Sequence, residues 1–220
     1  HEDENVVRHI LKKIDERFPG LTSKVGREHK YLGMNIKFMS DKNLSIDMKD
    51  YVKETIITSG MDVSRKASTP AAKNLFEIKR DSSLLDQNRK KTFHHCVAKL
   101  LYVSKRCRLD IQLAISHLTS RVINPTEDDW NKLRRVLRYL NGTLDRKLII
   151  GASDISLMNV FVDASYAIHD DMKSHTGGCI IFCRGALMSK SIKQRLNTKS
   201  SCEAELVGTS DYIPSAIYAR

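Results

Sequence analysis

Apolar positions along this chain change period several times. Val6, Val7, Ile10, Leu11, Ile14 and Phe18 recur at the spacing of one helix face, and Pro19-Gly20 stops the run. Residues 31–38 (YLGMNIKF) and 43–48 (NLSIDM) then read as two strands joined by Ser40-Asp41-Lys42. Asp47 is placed to cap a helix whose apolar face is Met48, Tyr51, Val52 and Ile56. From Gly60 to about Asn88 the pattern fails. Thr69-Pro70 and the polar stretch 79–88 predict an extended connector there.

Helical spacing returns from Phe93 to Val122, as two helices meeting around Arg106 to Asp110. Thr126 is the expected N-cap of the next helix, and Glu127, Asp128 and Asp129 suit its first turn. Trp130, Leu133, Leu137 and Leu140 form one stripe, and Asn141-Gly142 ends it. Lys132, Arg134, Arg135 and Arg138 occupy the other side. After about Gly151 the period becomes that of strands, at 157–162, 178–182 and 186–189, with Arg184-Gly185 as a turn. Ser200 opens a last helix, with Glu203 completing a capping box and Pro214 expected to kink or end it.

Charge narrows the class of partner. The 220 residues carry 37 Lys and Arg against 26 Asp and Glu, a formal net charge of +11. Such a balance favours polyanions, nucleic acid first and acidic membrane second. Lys105, Arg106, Arg108, Lys132, Arg134, Arg135 and Arg138 cluster in the helical region, and Lys190 and Lys193 form a second patch. These are the candidate phosphate contacts, which give affinity but little sequence readout. No apolar run approaches the roughly 20 residues of a membrane span. The five cysteines are odd in number and show no paired framework, as expected of reduced intracellular thiols.

Two acids carry the candidate chemistry. Asp163 ends an apolar strand, and Glu205 lies one turn into the last helix. A strand carboxylate and a helix carboxylate can hold hard divalent cations between them. Glu203 and Glu205 point about 200° apart on a helix, so capping suits the first and a site suits the second. No phosphate-cradling glycine loop and no nucleophile elbow is present.

The ordered segments YLGMNI (31–36), STPA (68–71), VAKLLYVSKRCRLDIQLAISHLTSR (97–121), LRRVLRYLNGT (133–143), FVDASYA (161–167), KSHTGGCIIF (173–182), SIKQ (191–194) and SSCEAEL (200–206) carry a resemblance. Together they are similar to the C-terminal part of a copia-type LTR-retrotransposon Pol polyprotein, from the end of the reverse transcriptase into the beginning of ribonuclease H. The resemblance implies an α+β chain in four parts. Residues 1–60 would be the end of the palm, a helix and a β-hairpin, and 61–88 an extended connector. Residues 89–150 would be the helical thumb or connection. Residues 151–220 would be the first half of a ribonuclease H-like mixed sheet with its first helix.

By the same resemblance, Asp163 matches the first metal-binding aspartate and Glu205 the helix glutamate, with Mg²⁺ or Mn²⁺ as cofactor. Ser165 stands where the family commonly has a second acid. The implied partners are an RNA–DNA hybrid and the rest of the polyprotein, and the implied setting is cytoplasm and nucleus. The polymerase's tyrosine-x-aspartate-aspartate turn is absent from the sequence, and the later ribonuclease H aspartates would lie beyond Arg220. Both ends look cut. The expectation is a nucleic-acid-binding fragment that is inactive alone, with a non-catalytic relic or domesticated interaction module as the alternative.

Overall fold

The computed structural model describes residues 3–20, 22–151 and 156–220. The chain is α+β, with helices and two small antiparallel sheets. Helix α1 (Glu4–Arg17) is started by Asp3, whose side chain accepts from the Asn5 N–H. None of its residues is buried, so its apolar face stands uncovered.

The segment 31–38 is not one strand. Strands β1 (Glu28–Tyr31) and β2 (Met34–Phe38) pair antiparallel around Leu32-Gly33. Those two residues have φ of 47° and 78°. Positive φ at both central positions is what a two-residue hairpin needs to match strand twist. Strand β3 (Asn43–Asp47) joins β2, and β4 (Leu148–Gly151) joins β3 from across the chain. Beyond the helix that ends at Gly142, the sequence pattern predicts strands only from about Gly151. A four-residue strand just after a helix leaves too little pattern to detect. Met34, Ile36, Ile46 and Leu148 face the helices.

Helix α2 (Lys49–Ser59) has Met48 at its N-cap position, not Asp47. Asp47 still takes part from one residue earlier, accepting from the Lys49 N–H at 3.3 Å and the Asn35 amide at 2.9 Å. Helix α3 (Gln87–Arg106) starts earlier than its apolar spacing suggests. Asp86 caps it by accepting from the N–H groups of Asn88 and Arg89, so the end of the polar stretch 79–88 is a helix start. The chain turns at Cys107-Arg108, passes through a 3-10 turn (Leu109–Ile111) and enters α4 (Gln112–Thr119). Helix α5 (Glu127–Gly142) has the expected Thr126 cap, with Asp129 reciprocating. Phe93, Val97, Leu100, Ile115, Leu118, Leu133, Val136, Leu137 and Leu140 form a core sealed from solvent.

The last part is a meander of β5 (Asn159–Ser165), β6 (His175–Ile181) and β7 (Met188–Lys193), with α6 (Ser201–Ala219) on one face. Val162 pairs with Gly178, and a Cβ at Gly178 would sit 2.7 Å from the Tyr212 ring. Glycine there lets α6 approach the sheet. The helix runs through Pro214 instead of ending at it. Tyr212 and Ser215 are buried against the sheet, and this packing holds the turn that proline weakens. The meander meets the rest of the chain where the Gly151 N–H donates to the Arg184 carbonyl at 2.8 Å.

Burial separates the packing positions. Leu137→Ala, at a fully buried site, is expected to cost about 3 kcal/mol in urea unfolding. Leu206→Ala, at a site 70% exposed on α6, should shift stability by less than about 0.5 kcal/mol.

Candidate metal and nucleic-acid sites

Asp163 lies inside β5, two positions before its end, because pairing of Ser165 with His175 extends the strand past the apolar run. Side chains alternate along β5. A Cβ at Gly208 of α6 would touch Ala164 Cβ at 3.4 Å, so Ala164 faces α6. Phe161, Asp163 and Ser165 belong to the opposite face. Asp163 is exposed and lines a cleft of about 690 Å³ with Leu109, Gln112, Phe161, Cys179 and Ser189.

Glu205 reaches the β5 backbone from α6 and does not line that cleft. Its Oε1 accepts from the Ala164 N–H at 3.2 Å, and this group lies on the edge of β5 that has no strand neighbour among the described residues. Glu203 is used differently. Its Oε2 accepts from the Lys199 N–H at 2.6 Å, and its own N–H donates to Ser200 Oγ at 3.2 Å. Glu205 therefore bonds the peptide joining Asp163 to Ala164, while the Asp163 side chain belongs to the other face of the sheet.

Among the described residues no three His, Cys, Asp or Glu side chains are grouped to hold a metal ion. One Glu205 oxygen already accepts a backbone hydrogen bond. Two-cation hydrolysis clamps both the attacking and the leaving oxygen, and each cation takes about six oxygen ligands. This pair does not fit a two-cation centre, and no hydrolytic step follows from it.

Most of the candidate basic side chains are engaged inside the protein. Arg108 is buried, donating from Nε and Nη2 to Asp110 and from Nη1 to the Thr143 carbonyl at 3.0 Å. Burial pushes the Asp110 carboxyl up, but hydrogen bonds from Arg108 and Tyr139 outweigh it and hold the group below its ordinary range. Lys132 pairs with Asp128 at 2.9 Å and donates to the Glu77 carbonyl. Arg134 donates to Asn131, and Arg135 to Thr69 Oγ1 at 2.9 Å. Arg138 donates to both the carbonyl and the carboxylate of Asp62, each at 3.1 Å. Ser64 and then Arg138 hold the Asp62 carboxyl down at about 2.

Lys190 lies over the Tyr212 ring and donates to Ser215, so it packs between β7 and α6. Lys193 pairs with Asp171 at 2.7 Å. Lys105 and Arg106 make no ion pair among the described residues and are exposed together. Arg106 lies over the Tyr102 ring, 5.4 Å from its centroid.

A further basic surface was not anticipated from the sequence. Lys24, Lys30, Lys37 and Lys147 line a recess of about 350 Å³ on the outer face of the four-stranded sheet, with Glu28 and Asp47. Lys37 pairs with Glu28 at 2.7 Å and Lys147 with Asp47 at 3.5 Å, leaving Lys24 and Lys30 without an ion pair among the described residues. Alternate polar positions at 28, 30, 35 and 37 hint at this face. Only the pairing of β3 with β4 brings Lys147 near it.

The sequence of this chain is similar to those of known proteins. A Pol polyprotein of transposon RE2 from Arabidopsis thaliana is 27% identical over 205 residues, 92% of this chain. A Pol polyprotein of transposon TNT 1-94 from Nicotiana tabacum is 27% identical over 85% of the chain. A transposon Ty5-1 protein of Saccharomyces cerevisiae is 28% identical over 86% of it. The homologues of this chain are copia/Ty1-type retrotransposon Pol polyproteins. The Pol match takes in both sheets and the helical body between them, and supports a retrotransposon Pol fragment. The chain spans 14% of the length of each plant Pol polyprotein and 61% of the yeast protein. No family model and no solved structure matches it. Among the described residues no helix is long and apolar enough to cross a membrane.

The basic side of α5 predicts a structural effect. Replacing Arg135 and Arg138 with Gln should release the connector they bind, costing about 1–2 kcal/mol after allowing for partial exposure. Amide exchange over residues 62–72 should speed up. Unchanged protection would show that these bonds do not hold the connector.

Proposed function

We propose that this chain is a nucleic-acid-binding segment of a retrotransposon reverse transcriptase and ribonuclease H polyprotein, and that it does not cleave RNA by itself. The observation that carries the reading is the Glu205 hydrogen bond to the β5 peptide that follows Asp163, in a chain whose homologues are Pol polyproteins. The pair would stand on the nuclease side of such a protein. A hydrated Mg²⁺ or Mn²⁺ completed by phosphate oxygens is the most that two carboxylates would hold.

The partner is an RNA–DNA hybrid, gripped through its phosphates, together with the remaining parts of the polyprotein. Lys24 and Lys30 on the outer sheet face and Lys105 and Arg106 at the end of α3 are the free cations for this contact. The residues of α5 contribute by keeping the connector in place. The setting is where such an element copies its RNA and delivers DNA, cytoplasm and nucleus.

A second reading, a non-catalytic interaction module, is favoured by the missing third ligand among the described residues. Magnesium separates the two. In the first reading Mg²⁺ raises the melting temperature of the protein in the hybrid complex by more than that of the free hybrid, and Asp163→Asn abolishes this excess. In the second the wild type and Asp163→Asn respond to Mg²⁺ alike, each showing only the stabilisation that Mg²⁺ gives the hybrid itself.

Hybrid binding should weaken linearly with the logarithm of salt concentration. Lys24→Gln with Lys30→Gln should lower that slope by about 2, roughly 0.9 for each phosphate no longer neutralised. An unchanged slope removes the sheet face from the interface. Labelled hybrid incubated with Mg²⁺ or Mn²⁺ should stay intact. Cleavage that Asp163→Asn abolishes would overturn the inactive assignment.

A further inference from the structure

We propose that the junction between the helical body and the β5–β7 sheet is a pH-sensitive latch, closed while three histidines are neutral and opened when they take up protons. The inference does not depend on the nuclease reading.

Four rings from separate parts of the chain meet at this junction. Phe76 comes from the connector, His117 from α4, His169 from the segment after β5, and His175 from the start of β6. The Phe76 centroid lies 5.4 Å from His117, 4.8 Å from His169 and 5.5 Å from His175. All three histidines are buried. His169 Nε2 and His175 Nδ1 are 3.1 Å apart, so one ring donates and the other accepts. His175 Nε2 contacts Ser191 Oγ at 2.8 Å. A second proton on the linked pair would set two N–H groups against each other.

His117 is 3% exposed, and neither of its ring nitrogens has a hydrogen-bond partner among the described residues. A proton added there brings a charge and a second buried donor with no acceptor. The charged groups around the rings offer no compensation. From the helical side these are Arg121, Asp129 and Lys132, and from the sheet side Lys193 and Asp171. Asp129 already holds Arg121 at 3.2 Å, Asp171 holds Lys193 at 2.7 Å, and Asp128 holds Lys132 at 2.9 Å. Every nearby carboxylate is committed to a cation.

Burial accordingly pushes His117 and His175 down to about 4, and His169 below its ordinary value. A released histidine titrates near 6.5. Release therefore takes up protons. The latch holds fully above about pH 6.5 and weakens progressively as pH falls toward 4. At pH 5 each of His117 and His175 shifts the equilibrium toward release by about 30-fold. His175 shares its sheet face with Asp163, so opening widens the cleft that Asp163 lines with Leu109 and Gln112.

Histidine side-chain NMR on the full chain tests the premise, and amide exchange at pH 7.0 and 5.0, corrected for intrinsic rates, tests the latch. His117 and His175 should titrate well below 6. At pH 5.0 amides of α4 and β7 at the junction should lose protection while α3 and α5 core amides keep theirs. His117→Leu should reduce the acid response of the junction by about 30-fold. Should that variant fail to fold, the wild-type titrations and exchange decide alone. Histidines titrating near 6.5 would overturn the proposal. So would junction protection that is indifferent to pH, or loss of core and junction protection in step.

Discussion

Helix α5 uses both of its sides, and the arrangement of the helical body depends on it. Leu133, Val136, Leu137 and Leu140 are sealed against α3 and α4. The basic side is turned on the connector, through Lys132 to Glu77, Arg135 to Thr69 and Arg138 to Asp62. Asn141 adds a bond to the Val63 carbonyl at 3.3 Å. The connector has little regular structure of its own, so side chains must satisfy its polar groups if it is to lie on the helices. The same connector delivers Phe76 to the junction with the second sheet. One amphipathic helix thus ties together segments far apart in sequence.

This arrangement changes what the net charge means. Arginine and lysine side chains that hold carbonyls and carboxylates within the chain are not simply a coat awaiting a polyanion. The exposed pair Lys105 and Arg106 and the unpaired Lys24 and Lys30 are better placed to meet phosphate. They occupy a different part of the surface from the dense cluster on α5. The carboxylates show a similar division of labour. Glu203 caps the helix it begins, which leaves Glu205 available to reach the open edge of β5.

Much of the architecture was legible because it is local. The stripes of α3 and α5, the Thr126 cap and the Ser200 cap each need only a few neighbouring residues, and the structure contains them. The capping role of Glu203 was legible too, as was the different direction of Glu205, since residues two apart on a helix point about 200° from each other. Boundaries were less so. Leu32-Gly33 breaks an apparent strand into a hairpin, Asp86 starts a helix inside a polar tract, and α6 continues through Pro214. In each case a backbone conformation or a packing contact outweighs the average preference of the residues.

Spacing and residue type along the chain were enough for the helix faces, the caps and the excess of positive charge, and they single out Asp163 and Glu205 as candidates. Each depends on spacing or residue type along a short stretch. It takes the folded chain to show that β4 joins the first sheet, that α5 arginines bind the connector and that three histidines share one buried junction. Those facts join residues far apart in the chain. A side chain's freedom or protonation depends on which groups folding sets beside it, and nothing in its own neighbourhood records them.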